Sequence, residues 1–216
     1  MGLKVFYTAG MRKFYLLSGL LFCLSLNSYS QSTTNVGFKG GLSLGMLEIS
    51  SFSSGSIEAE RKFRLSVYAG FLVEYSLEGI SEDLYAQLEL QYVNSGAVAK
   101  ATADVPETTT HLSQLTLPFV VKYRIVRPVL ITAGIYWGLL LKVEQEAENG
   151  TASDVTEDFE TFDSGLLIGA EVPLGENFFL EARYNYGLLD IMDLEKTNNR
   201  GSYFNRFLQL GVGFNF

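Results

Sequence analysis

Residues 84–92 read Leu-Tyr-Ala-Gln-Leu-Glu-Leu-Gln-Tyr, with Leu84, Ala86, Leu88, Leu90 and Tyr92 alternating with Tyr85, Gln87, Glu89 and Gln91. A helix would scatter these side chains around its axis, whereas a strand sends odd and even positions to opposite faces. One face is then greasy and the other polar. The same period of two recurs on both sides of this stretch. Upstream, Phe63, Leu65, Val67, Phe71, Val73 and Tyr75 oppose Arg64, Ser66 and Glu74, and Val36, Phe38, Leu42, Leu44 and Met46 oppose Lys39 and Ser43. Downstream, five further stretches follow the rule, the last placing Phe204, Leu208, Leu210, Val212, Phe214 and Phe216 opposite Asn205, Gln209, Gly211, Gly213 and Asn215.

Eight such stretches follow Val36, and the segments between them alternate in length. Long connections at 47–62, 94–112, 144–161 and 189–203 alternate with short ones at 78–83, 126–128 and 175–177. Short turns at one end and long loops at the other are the habit of barrels in the bacterial outer membrane, where an even strand number returns both termini to the periplasm. The expected fold is therefore all-β, an eight-stranded antiparallel up-and-down transmembrane β-barrel occupying residues 31–216. Outside the N-terminus no apolar run approaches the ~20 residues that a membrane-spanning helix needs.

The N-terminus has a different character. Arg12 and Lys13 precede an apolar run from Phe14 to Leu26, with small residues at Ser28 and Ser30. That layout predicts a secretory signal over residues 1–30, cleaved after Ser30, with residues 1–10 an over-called start before Met11. The alternative is a single-pass anchor, against which the short apolar stretch and its polar end argue. Cys23, the single cysteine, lies inside this segment, so the mature chain is expected to carry no disulfide, thiol nucleophile or cysteine-bound metal. The formal charge of −8 argues against a nucleic-acid partner, which requires a basic face.

If the greasy parity meets lipid, outward aromatics should gather at both interfaces. Phe38, Tyr75, Tyr123, Phe178, Phe214 and Phe216 fall near the rim with the short turns, and Phe63, Tyr92, Phe162, Tyr184, Tyr186 and Phe204 near the other. Trp137 lands in the middle of its strand, and Arg206 occupies the outward parity, where it must snorkel, pair or mark a bulge. The polar parity carries Lys39, Arg64, Lys122, Arg124, Lys142 and Arg183 against Glu74, Glu89, Glu144, Asp163, Glu171 and Glu181. Buried charges need partners, and eight strands leave an interior just wide enough for side chains to fill. A balanced ionic network plugging the lumen is expected, with no sizeable pore. The inward glycines, among them Gly134, Gly138, Gly165, Gly169, Gly211 and Gly213, are expected to make room for long charged neighbours or to permit sharp curvature.

The stretches LYAQLELQYVNSGA (84–97), HLSQLTLPFVVKYRI (111–125), LEARYNYGLLDI (180–191) and NRFLQLGVGFNF (205–216) together resemble the PorT-like outer-membrane β-barrel family of Bacteroidetes-type bacteria. The resemblance spans nearly the whole mature chain. It implies an address, the outer membrane with its lipid and lipopolysaccharide, and an architecture often labelled porin-like, without a shared catalytic motif. Phe216 resembles the C-terminal aromatic signal read by the barrel-assembly machinery.

Candidate chemistry is sparse. His111, the one histidine, with Asp104 and Ser113 near it in sequence, is weighed as a fragment of a hydrolytic rim site and set aside as a strand-end residue. The acidic run from Glu144 to Asp163 lacks the spacing of a calcium loop and reads as a solvated, self-repelling loop, with divalent bridging to lipopolysaccharide the lesser reading. Asn149-Gly150-Thr151 matches a glycosylation triplet but reads as a loop tip. The expected protein is a non-enzymatic barrel with no cofactor, acting structurally or through its loops on an unnamed surface partner. Three alternatives are carried: an accessory of a secretion system, a rim-located barrel enzyme, and a soluble lipocalin-like carrier with its apolar parity turned inward.

Overall fold

The computed structural model describes residues 34–51, 61–99, 108–147, 150–191 and 201–216. The expected signal segment, Cys23 and the loop positions Asp104, Glu148 and Asn149 lie outside the described residues. From Asn35 onward the chain forms one unit. Its strands are β1 (Thr34–Ser51), β2 (Arg61–Ser76), β3 (Leu84–Ala99), β4 (Thr108–Val126), β5 (Val129–Ala147), β6 (Ala152–Asp154), β7 (Phe162–Leu174), β8 (Phe178–Gly187) and β9 (Gly201–Asn215). Neighbours in the sheet follow the order β4-β3-β2-β1-β9-β8-β7-β5, and β4 pairs with β5 to close the ring. The first and last long strands meet antiparallel from Gly37↔Asn215 to Ser51↔Gly201. The result is a closed eight-stranded antiparallel barrel, and closure leaves no unpaired sheet edge around it.

The three short connections are tight because their sequences permit it. Leu77 N–H donates to the Leu84 carbonyl at 2.9 Å to shut the β2–β3 turn, Arg127-Pro128 joins β4 to β5, and Gly175 takes φ +72° between β7 and β8, a conformation that favours glycine. We call this the turn end and the opposite one the loop end.

The pleat sorts side chains as the alternation requires. Leu88, Ile168 and Leu210 are 47%, 60% and 42% exposed, whereas Glu89, Glu171 and Arg183 are 1%, 4% and 1% exposed. This overturns the carrier alternative, which needs the reverse. Among the described residues no helix is long and apolar enough to cross a membrane; the apolar band is made by strands.

Two departures from the expected pattern occur at the loop end. First, a ninth strand exists: β6 folds back on β5 with Glu144↔Asp154 and Glu146↔Ala152 in register, so part of the acidic run is sheet and not loop. Second, the β4–β5 register slips between Ser113↔Lys142 and Gln114↔Leu140. This bulge inserts Leu141 as an extra residue and resets the parity above it. Val143, which shares the outward parity of Trp137, Leu139 and Leu141 in the sequence, is fully buried. β4 and β5 run 19 residues each against 10 for β8. At about 3.3 Å per residue and a tilt of about 40°, the long pair stands about 20 Å taller than the short strand.

Trp137 finds its place through the same extension. It stands as far above Val129, the first residue of β5, as Tyr92 stands above Leu84 in β3 and Tyr186 above Phe178 in β8. Its strand continues well past it, so the middle of β5 coincides with the upper aromatic level of its neighbours.

Candidate functional site

The barrel interior holds the unusual chemistry, and it is stacked in layers. Nearest the turn end, the Lys122 ammonium lies 2.8 Å from Glu74 and 2.6 Å from Glu171, with the Phe179 ring centroid 5.3 Å away. Three strands, β2, β4 and β7, thus converge on one cation. Asn35 adds a hydrogen bond to Glu74 at 3.3 Å.

The next layer is a four-charge cluster. Lys39 contacts Glu89 at 2.9 Å and Glu181 at 2.8 Å. Arg183 makes a two-point contact with Glu89, at 2.8 and 2.9 Å, and reaches Glu181 at 2.9 Å. Two cations face two carboxylates, each at most 5% exposed. The paired fork of an arginine on a carboxylate is the arrangement that best repays desolvation. The Tyr68 hydroxyl donates to Glu181 at 3.0 Å, and the amides of Gln87 and Gln91 close on Glu89. β1, β2, β3 and β8 are thereby tied across the lumen.

Above it the polarity falls. Gln209 donates to Gln91 at 3.1 Å and Asn185 to Gln209 at 3.0 Å. Asp163 accepts from Asn205 at 3.0 Å and from the Tyr136 hydroxyl at 3.3 Å, and Tyr136 packs edge-on against Phe207 with ring centroids 6.1 Å apart. The top layer is apolar: Ala97, Leu112, Leu140 and Val143 from the walls cluster with Phe159 and Ile191, and Val155 packs against them. The segments carrying Phe159 and Ile191 are joined by the Glu160 N–H to Ile191 carbonyl bond at 2.9 Å, and Leu140 N–H holds Thr161 at 2.7 Å. They form a cap over the loop end.

Not all of the expected charges belong to these layers. Lys39, Glu74, Glu89, Lys122, Asp163, Glu171, Glu181 and Arg183 do. Lys142 does not: the bulge turns it outward, its side chain is half exposed, and it pairs with Glu144 at 2.6 Å. Glu144, also expected inside, is its surface partner. Arg64 and Arg124 are half-buried rim residues. Arg64 binds Ser66, Asn94 and the Ser95 carbonyl, and Arg124 bridges Asp83 at 3.3 Å and the Tyr85 hydroxyl at 2.7 Å.

The expected aromatic positions all lie on the outward parity. At the turn end, Phe38, Phe178, Phe214 and Phe216 form one patch with centroid distances of 5.0–6.0 Å, beside exposed Tyr75 and Tyr123. Towards the loop end, Phe63, Tyr92, Phe162, Tyr184 and Tyr186 are exposed and Phe204 is half-buried.

Sequence reasoning missed the apolar members of the inward parity: Tyr68, Leu72, Val93, Val120, Tyr136, Leu167, Phe179 and Phe207 are all buried. Their parity marks them, since each shares the face of the buried polar and charged residues. They also explain three of the six inward glycines. A Cβ at Gly211 would meet the Tyr68 hydroxyl at 2.0 Å, one at Gly213 the Phe179 ring at 2.0 Å, and one at Gly165 the Tyr136 ring at 2.6 Å. At these three the space serves aromatic rings and not the long charged neighbours expected; a Cβ at Gly134 or Gly169 would meet a facing strand's backbone at 2.1 or 2.4 Å, and one at Gly138 would meet Gln114 and Asp163.

His111 lies at the loop end with its Nδ1 2.5 Å from an Arg64 Nη and its Nε2 3.4 Å from Glu146. A guanidinium can only donate, so Nδ1 accepts and its lone pair is engaged by a cation. Nε2–H then points to Glu146. An imidazole held this way has no basic nitrogen to offer a serine hydroxyl. In the acidic segment, the Thr156 hydroxyl and N–H both donate to Asp154, which holds the Asp154 carboxyl below the usual carboxylate range. Among the described residues no group of three or more His, Cys, Asp or Glu side chains is placed to hold a metal.

A family model described as outer membrane protein beta-barrel domain matches residues 29–193. Among solved structures, Neisserial surface protein A aligns with a TM-score of 0.49 and 15% identity, over 85% of this chain and 97% of that one. Ail, the attachment invasion locus protein of Yersinia pestis, aligns at 0.46 and 13% over 85% and 99%, and OprG from Pseudomonas aeruginosa at 0.42 and 11% over 85% and 96%. No curated protein sequence matches the chain.

Proposed function

This chain belongs to the family of outer membrane protein β-barrel domains, and on that premise we propose that it is a non-conducting barrel whose work is done at its extracellular end. Residence in the outer membrane places the turn end in the periplasm and the loop end outside. The observation that carries the proposal is the filled interior: paired ions, a glutamine and asparagine layer and an apolar cap succeed one another along the axis. Each layer blocks ions for a different reason. The ionic layers have their charges already satisfied, and the cap offers nothing to replace a hydration shell.

What remains free to interact is the tall extracellular part of β3, β4, β5 and β6. Glu144, Glu146, Asp154, Glu157, Asp158 and Glu160 decorate it, so its complement is a cationic surface. Strand pairing fixes the backbone at Glu144, Glu146 and Asp154, and Thr156 holds the Asp154 carboxylate, which lowers the ordering entropy that a floppy loop would lose on binding. The arrangement of His111 speaks against the rim-enzyme alternative.

Two measurements test this reading. Purified protein in planar bilayers should show no stepwise conductance, and large-porin steps would refute the plug. Cells displaying the protein should capture a polylysine probe in a salt-sensitive manner, and replacing Glu144, Glu146, Asp154 and Glu157 by glutamine should abolish the gain. Equal capture by both forms would remove the binding surface from the account.

A further inference from the structure

The ring is closed, but β6 stands outside it. In the order of the sheet β6 is a terminal strand, and it pairs with β5 alone. The pairing of β5 with β7 ends at Leu139↔Phe162 and that with β6 begins at Glu144↔Asp154, so β6 lies above the top of β7. Thr151, Ala152, Ser153 and Asp154 are all exposed.

Two hydrogen bonds fix which backbone groups look outward. Ala147 N–H donates to the Thr151 carbonyl at 3.0 Å, and Val155 N–H donates to the Val143 carbonyl at 3.0 Å. In an antiparallel ladder every second residue turns its N–H and C=O to the same side. Thr151, Ser153 and Val155 therefore face β5, and Ala152 and Asp154 present theirs to the free edge. Their side chains share a face with Glu146 and Glu144, their partners in register. Thr156 keeps the Asp154 carboxylate in place through its N–H at 3.0 Å and its hydroxyl at 2.6 Å. A strand added antiparallel here sets two alternate residues opposite Ala152 and Asp154, bonded through their own N–H and C=O. Their side chains then lie on the acidic face.

We propose that the free edge of β6 takes up an extended peptide segment, basic at every second residue, as an added antiparallel strand. The inference rests on the cationic-partner reading above and adds the backbone to it. Charge decides between occupants. A second copy pairing through the same edge would bring Asp154 and its acidic neighbours against their like, a standing device against edge-to-edge pairing. A basic side chain opposite Asp154 meets an opposite charge instead.

The test is fluorescence anisotropy of a short labelled peptide of alternating lysine and threonine, with the full chain in nanodiscs of zwitterionic lipid. Two forms of equal charge are compared. One is N-methylated at the threonines, whose N–H points away from β6 in the added strand, and the other at the lysines, whose N–H points at it. The threonine-methylated form should bind at least about tenfold tighter, the worth of two backbone hydrogen bonds. Ala152→Pro removes an outward N–H that β5 does not use and should erase most of that preference, while protected Ala147 and Val155 amides show that the hairpin is intact. Equal affinity of the two forms for the wild type, or a preference unchanged in Ala152→Pro, overturns strand addition and leaves the electrostatic reading standing. Capture of neither peptide nor polylysine overturns that reading itself. Cross-linking of Ser153→Cys to a second copy in native membranes overturns the peptide as occupant.

Discussion

The two ends of the barrel interior solve one problem with opposite chemistry. In the periplasmic half, Lys39, Lys122 and Arg183 are neutralised by Glu74, Glu89, Glu171 and Glu181 from facing strands. In the extracellular half, Leu112, Leu140, Val143, Phe159 and Ile191 pack without a charge among them. A buried ion pair is directional and fails badly when one partner is lost. An apolar cluster is not directional and loses stability in proportion to the atoms removed. The periplasmic half is therefore the brittle part, pinning strand to strand, and the extracellular half is the part able to open locally while the wall stays closed.

The largest effect should come from the brittle half. Glu89→Gln leaves Lys39 and Arg183 sharing Glu181 alone, and should lower stability by about 3–5 kcal/mol, read from urea unfolding in lipid vesicles with the single tryptophan, Trp137, as reporter. Adding Arg183→Met should recover part of that loss, since the two residues are directly coupled. A single change that behaves like an ordinary surface substitution would show that the cluster does not hold the barrel together.

In the extracellular half, Leu112→Ala should loosen the cap by about 2 kcal/mol. The signature is local: amide exchange at Val143, Phe159 and Ile191 should quicken roughly thirtyfold while the unfolding midpoint of the barrel hardly moves. A matching fall in the midpoint would mean that the halves are one cooperative unit.

The boundary between wall and filling can be probed by size. Gly213→Ala, whose new methyl would collide with Phe179, should destabilise by about 1–2 kcal/mol through overpacking, and Phe179→Leu in the same chain should relieve it. Without that relief, Gly213 would matter for its backbone and not for the space it leaves.

How much of this was legible in the sequence depended on whether neighbours along the strand carry the information. Parity is local, so the outward band and the eight core charges could be read from alternation, and the rhythm of long and short connections added the ring of eight strands. The bulge at Leu141 is not local. It exists because β4 and β5 pair with a one-residue slip, and it is the reason that Lys142 and Glu144 were expected inside and stand outside. The cap was hidden differently: Val155 and Phe159 are lone apolar residues in an acidic run, and only the fold brings Ile191 to them.

The smallest effect concerns that same acidic run. The Asp154 carboxyl is held below its ordinary value of 3.8 by Thr156, so its stabilising contribution is present above that value and fades as pH falls through the lowered one. The turn should keep its Thr156 amide shift from neutral pH down to about pH 5 and lose it only in stronger acid. Loss near neutrality would show that the Asp154 carboxyl does not hold the turn.

Which parity faces the axis decides between a filled polar interior and its reverse, and spin labels placed singly from Ala86 to Val93 measure it most directly. Labels at Ala86, Leu88, Leu90 and Tyr92 should collide freely with membrane-dissolved oxygen, whereas those at Gln87, Glu89, Gln91 and Val93 should be shielded from oxygen and from a water-soluble nickel complex alike. Oxygen contact at the second set, or nickel contact along its length, would contradict a filled polar interior.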